Sequence, residues 1–175
     1  MAEPAGLILP DAAATERFGR QCAMALLATR PEGLIVYLEG ELGAGKTTLV
    51  RGLLAGLGHT GRVPSPTYTL VEPYALADRV IQHVDLYRLR DPRELEEIGL
   101  VEALSGGVIG LIEWPGQGAG YLPEADLVLR LELAAQGPGR VVSWEARSAA
   151  GQALCRLFGP QAEGSQGGQP VTTGR

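Results

Sequence analysis

At 175 residues and 18.4 kDa, with 45 % hydrophobic and 20 % charged residues, the chain has the size and composition of one globular domain able to bury a full sheet under helices. No apolar run approaches the roughly 20 residues of a membrane span, and Met1 to Pro10 has neither a basic start nor a cleavage site, so the sequence reads as cytoplasmic and without a secretory signal. A net charge of −5 argues against a broad basic face for nucleic acid, and Cys22 and Cys155, far apart and without metal-ligand spacing, read as reduced thiols.

In chain order, Leu7-Ile8-Leu9 predicts a short strand ending at Pro10. Asp11 is placed to cap a helix over about residues 12–29, with Phe18, Cys22, Ala25 and Leu26 on its apolar face. After the break at Pro31-Glu32-Gly33, the apolar run Leu34 to Leu38 predicts a buried strand. Gly40 to Thr47 then reads G-E-L-G-A-G-K-T, which fits the phosphate-loop pattern G-x-x-x-x-G-K-[ST] at every fixed position. A helix follows, ending near Gly56 to Gly58. Strand, glycine loop and helix are the order in which a polyphosphate is gripped by backbone N–H groups and a helix N-terminus. Lys46 is assigned to the β and γ phosphates and Thr47 to Mg²⁺. Lys46 is the only lysine among fifteen basic residues, which suggests a task that a guanidinium does not perform.

Arg62 to Tyr68 carries two prolines and reads as a stiff loop. Tyr68 to Tyr74 and Arg79 to Val84 predict a hairpin, Pro92 begins a helix broken at Gly99, and Val108 to Ile112 is apolar enough for an interior strand. Asp126 to Leu133 and Arg140 to Arg147 predict a closing hairpin, and a short helix runs from about Ser148 to Leu157. The polar, Gly-rich stretch from Gly159 onward predicts a disordered tail over residues 159–175, which leaves one domain over 1–158.

A P-loop ATPase also needs an acidic group at the end of a neighbouring strand. Glu113 ends the all-apolar strand and is assigned to the metal side. Asp85 ends a strand with more polar residues, expected to lie less deep, and is either a second carboxylate near the γ phosphate or a turn residue. Ser65-Pro66-Thr67 is either a switch loop that senses the γ phosphate or a rigid turn. Trp114 reads as a core aromatic or as a platform at the site, and His83 as a structural residue within its strand.

The series G-E-L-G-A-G-K-T-T, S-P-T-Y-T-L-V-E-P-Y, H-V-D-L-Y-R-L, E-L-E-E-I-G-L and I-E-W-P-G resembles, in order, the bacterial TsaE (YjeE) family from about Leu9 to Arg147. The resemblance implies a slow P-loop ATPase, using ATP and Mg²⁺, required for threonylcarbamoyladenosine formation in tRNA. It implies partners, a TsaD-type transferase and a TsaB-type scaffold, with tRNA held by the complex. It further implies that Glu41, Leu42, Gly43, Ala44, Gly45, Lys46, Thr47 and Thr48 form the nucleotide loop, with Thr67 in a switch segment. Asp85 would serve hydrolysis, Glu113 would be linked to Mg²⁺, Trp114 would lie by the site, and Asp11 would lie toward the base. Family members often carry an arginine near position 138, where this chain has Gly137-Pro138-Gly139-Arg140. The expected fold is three-layer α/β with a mixed parallel and antiparallel sheet. Two other readings of the loop stand beside hydrolysis: a small-molecule kinase, and a binding switch without turnover.

Overall fold

The computed structural model describes residues 6–158, so the tail expected from position 159 lies outside the described residues. Strand β1 (Leu7–Leu9) leads into helix α1 (Ala12–Thr29), capped by Asp11, whose Oδ1 accepts from the Ala14 amide at 2.7 Å. Strand β2 (Leu34–Glu39), the glycine loop and helix α2 (Lys46–Gly56) follow. Next come the hairpin β3 (Val71–Leu76) and β4 (Arg79–Asp85), then two single helical turns, α3 (Glu94–Glu97) and α4 (Leu100–Ala103), separated at Gly99. Strand β5 (Ile109–Glu113), a 3-10 turn at Pro115–Gly118, the hairpin β6 (Leu127–Leu133) and β7 (Arg140–Ala146), and helix α5 (Ala149–Phe158) complete the order.

All seven strands join one sheet in the order β1-β7-β6-β2-β5-β4-β3. The strand that feeds the glycine loop, β2, lies at its centre and is parallel to both β5 and β6, while β4 is parallel to β5. The outer pairs β3/β4, β6/β7 and β1/β7 are antiparallel. Alternation along β2 divides the core: Leu34, Val36 and Leu38 face α1, α2 and α5, whereas Ile35 and Tyr37 face a smaller cluster closed by Leu86, Leu95, Leu100 and Leu104. The layers are thus three, as the sequence predicts, with one thin side. Among the described residues no helix is long and apolar enough to cross a membrane.

The contact between α1 and α2 depends on missing side chains. A Cβ at Gly52 would sit 2.1 Å from the Glu16 carbonyl oxygen, and one at Gly19 would sit 2.2 Å from that of Leu49. In an isolated helix Gly→Ala is favourable by about 0.8–1.0 kcal/mol. Here Gly52→Ala is expected instead to destabilise the protein by about 1–3 kcal/mol, because backbone must move to admit the methyl group. Urea unfolding checks this; an unchanged or higher midpoint would show that the helices part freely.

Two expectations are corrected. The strand predicted from Tyr68 begins at Val71, because Pro66 to Leu70 forms a turn in which the Leu70 amide donates to the Pro66 carbonyl at 2.8 Å and Leu70 takes a φ of +64°. β4 is not shallow: β5 and β3 pair with it on either side, and His83 and Asp85 are as deeply buried as Glu113. Its polar residues misled because His83 meets Glu113 of β5 and Asp85 meets Ser65, Thr67 and the Tyr87 amide, rather than water.

Candidate nucleotide-binding site

The glycine loop leaves β2 and closes over the first turn of α2. Gly43 and Gly45 have φ values of +79° and +105°, which a side chain at either position would strain. The Lys46 side chain folds back along the loop. Its Nζ donates to the carbonyl oxygens of Gly40 and Glu41 at 2.5 and 3.0 Å and lies 4.2 Å from the centre of the Trp114 ring, with only 4 % of the residue exposed. Burial lowers the Lys46 pKa from its ordinary value, against the opposing pull of Glu113, Asp85 and Glu41.

Register supplies the carboxylates. Glu113 is beside Leu38 of β2 on one side and Asp85 of β4 on the other, so both acidic residues end parallel strands next to the loop. The Thr47 hydroxyl donates to Glu113 Oε1 at 2.9 Å, with Oε2 at 3.2 Å, and His83 Nε2 lies 2.8 Å from Oε1. Asp85 gathers three donors: the hydroxyls of Ser65 and Thr67 reach Oδ2, the latter at 3.2 Å, and the Tyr87 amide donates to Oδ1 at 2.9 Å. The proline-bounded loop is therefore held against a carboxylate at the site. Trp114, which directly follows Glu113, adopts a left-handed conformation with φ +57° and ψ +47°. Such strain in a bulky residue costs about 1–3 kcal/mol and is characteristic of functional sites. It places the indole beneath Lys46 and against Tyr87, with ring centres 5.0 Å apart.

These groups surround a cavity of about 280 Å³ lined by Leu42, Gly43, Gly45, Lys46, Thr47, Thr48, Ser65, Thr67, Asp85, Tyr87, Glu113 and Trp114. Three of the residues expected at the site lie outside its lining. Ala44 is buried and Glu41 contributes its carbonyl. Asp11 lines a smaller cavity of about 110 Å³ that also touches Gly43, Gly45, Thr48 and Arg140. Trp114 is neither purely core nor purely exposed, being a half-buried wall of the main cavity.

Sequence reasoning left out Tyr87 and took His83 as merely structural. Tyr87 carried no signal in the sequence. At the end of the Gly137-Pro138-Gly139 stretch, the Arg140 guanidinium donates to the carbonyls of Ala44 and Gly43 at 3.0 Å each and braces the loop from β7.

The donor set fits a small hard cation. Thr47 and Glu113 offer oxygen only, and among the described residues no cluster of three or more His, Cys, Asp or Glu would hold a metal unaided. Mg²⁺ is characteristically bound in that way, by one or two protein oxygens with phosphate and water completing the shell.

With β2 central and its loop wrapped over the start of α2, the chain is a P-loop protein of the α/β class. The model of the family described as "Threonylcarbamoyl adenosine biosynthesis protein TsaE" matches residues 9–142, and the chain belongs to that family. The Haemophilus influenzae tRNA threonylcarbamoyladenosine biosynthesis protein TsaE is 51 % identical over 125 residues, 71 % of this chain and 79 % of that protein. The Streptomyces coelicolor protein of the same name is 44 % identical over 119 residues, 66 % of this chain and 77 % of that one. The crystal structure of YdiB from Bacillus subtilis is similar with a TM-score of 0.69 at 26 % identity, covering 90 % of this chain and 95 % of that one.

Proposed function

We propose that this chain hydrolyses ATP with Mg²⁺ in support of threonylcarbamoyladenosine formation in tRNA, acting with a TsaD-type transferase and a TsaB-type scaffold in the cytoplasm. The observation that carries the reading is the pairing of Thr47 with Glu113 at 2.9 Å directly beneath a glycine loop. Mg²⁺ held through Thr47 and Glu113 would neutralise phosphate charge and fix the polyphosphate. The loop amides and Lys46 stabilise negative charge on the oxygens of the transferred phosphoryl group. Asp85, anchored by Ser65, Thr67 and the Tyr87 amide, orients the attacking water and receives its proton. Trp114 and Tyr87 keep bulk water from one side of the site. Transfer of the phosphoryl group to a metabolite has less support: a kinase needs an arginine-rich lid, and of the one local cluster, Arg88, Arg90 and Arg93, Arg93 is paired with Asp91 at 2.6 Å and Arg88 lies over Tyr68 at 4.4 Å.

The test follows phosphate release from labelled ATP, with the protein alone and with transferase, scaffold and tRNA. Release that rises with the partners and stops on magnesium chelation is expected. Label passed to a metabolite, or nucleotide bound without turnover, would overturn the reading.

The single lysine gives a separate check. Because burial lowers its pKa, Lys46 becomes neutral below the usual 10.5. Raising the pH toward 10.5 therefore relieves a cost of folding rather than removing stability. Modification of Lys46 by an amine reagent is expected to have its half-maximal rate below pH 10.5, and Mg-ATP is expected to suppress it. Equal labelling with and without nucleotide would place the phosphates elsewhere.

A further inference from the structure

His83 is fully buried on β4, two residues before Asp85 and on the same face of the strand. Its Nε2 lies 2.8 Å from Glu113 Oε1, while its Nδ1 is buried and has no hydrogen-bond partner among the described residues. A carboxylate oxygen only accepts, so the hydrogen of the ring sits on Nε2; at Nδ1 it would be a buried donor with nothing to receive it. A leucine would fill this space without burying an unpartnered nitrogen, so packing alone gives no reason for an imidazole here.

The bond has a directional consequence. Oε1 of Glu113 accepts from both His83 and Thr47, at 2.8 and 2.9 Å, whereas Oε2 has only the 3.2 Å contact with Thr47. Two donors occupy the lone pairs of one oxygen and leave the other open. Without His83 the carboxylate would turn about its last bond, and the angle at which its free oxygen faces the space beside Thr47 would no longer be fixed.

We propose that His83 is a positioning residue, which clamps Oε1 of Glu113 so that Oε2 is the oxygen presented to magnesium or to a water on it. The proposal rests on the reading of Glu113 as the metal-side carboxylate. Outer partners of this kind typically change metal affinity by about 10–100-fold when removed.

The experiment compares the full-length native chain with His83→Leu and His83→Gln, measuring ADP affinity by calorimetry in EDTA and across a magnesium titration. For His83→Leu we expect an unchanged affinity in EDTA and a magnesium requirement raised by about 10–100-fold. For His83→Gln, whose amide N–H reaches as far as Nε2, we expect recovery of most of that loss. Native-like magnesium dependence in His83→Leu would overturn the proposal. So would equal losses with and without magnesium, or a His83→Gln protein no better than His83→Leu. If the native protein itself shows no magnesium dependence, the assignment of Glu113 falls and takes the proposal with it. Should His83→Leu fail to fold, nitrogen NMR of the native chain decides the matter, since His59 and His83 are its only histidines. An Nε2–H tautomer is expected for His83, with a resonance that moves when magnesium joins the ADP complex but not with ADP in EDTA. The opposite tautomer or a magnesium-insensitive resonance would overturn it.

Discussion

Lys46→Ala is expected to lower the rate of ATP hydrolysis by about 10²–10³-fold, the loss typical of removing one group that stabilises charge in the transition state. The carbonyls of Gly40 and Glu41 and the face of Trp114 hold the ammonium in one place, so on the proposed function its position does not have to be found during the reaction. Burial works against the charged form, which means that the fold gains little from the ammonium itself. Far-UV circular dichroism should therefore stay close to native while phosphate release collapses. Lys46→Arg is expected to fail as well, because a planar fork is larger than the buried space the compact ammonium fills between two carbonyls and the Trp114 ring. Activity near the native rate in either variant would remove Lys46 from the mechanism.

Asp85→Asn is expected to reduce hydrolysis by about 10²–10⁴-fold, the range associated with loss of a general base. Asparagine keeps the shape of the side chain but has one acceptor oxygen in place of two, set against donors from Ser65, Thr67 and the Tyr87 amide. The loop at 65–67 would loosen as well, so a second variant is needed to separate the two roles. Ser65→Ala takes away one loop donor and leaves the carboxylate intact; its expected loss of activity is much the smaller. Equal losses in the two proteins would make Asp85 an anchor for the loop and nothing more. Hydrogen exchange at the Leu70 amide, which bonds to the Pro66 carbonyl, reports the loop independently of turnover.

The places of Lys46, Thr47, Glu113 and Asp85 at a loop end or a strand end could be read locally, though the depth of Asp85 could not. The first two lie inside a motif of eight consecutive residues, and the second two end strands recognisable from their own apolar runs. The open question at Trp114 was of another kind, since its backbone conformation and its contact with Lys46 join residues 68 positions apart. The turn between β3 and β4 was placed to within a residue or two, although Ala77 and Asp78 both take positive φ without the Asn-Gly pair that usually marks such turns.

By itself the sequence determined the strand, glycine loop and helix of the phosphate-loop motif, the mixed character of the sheet and the family to which the chain belongs. These follow from short-range rules: glycines where φ must be positive, an apolar period, a cap. Only the tertiary structure decided that β4 is buried between two strands, that His83 faces Glu113 across the ladder, that Arg140 braces the loop from 96 residues away, and that two helices meet through glycines. Strand register and helix approach are set by how whole layers fit together, and no local stretch of chain encodes that fit.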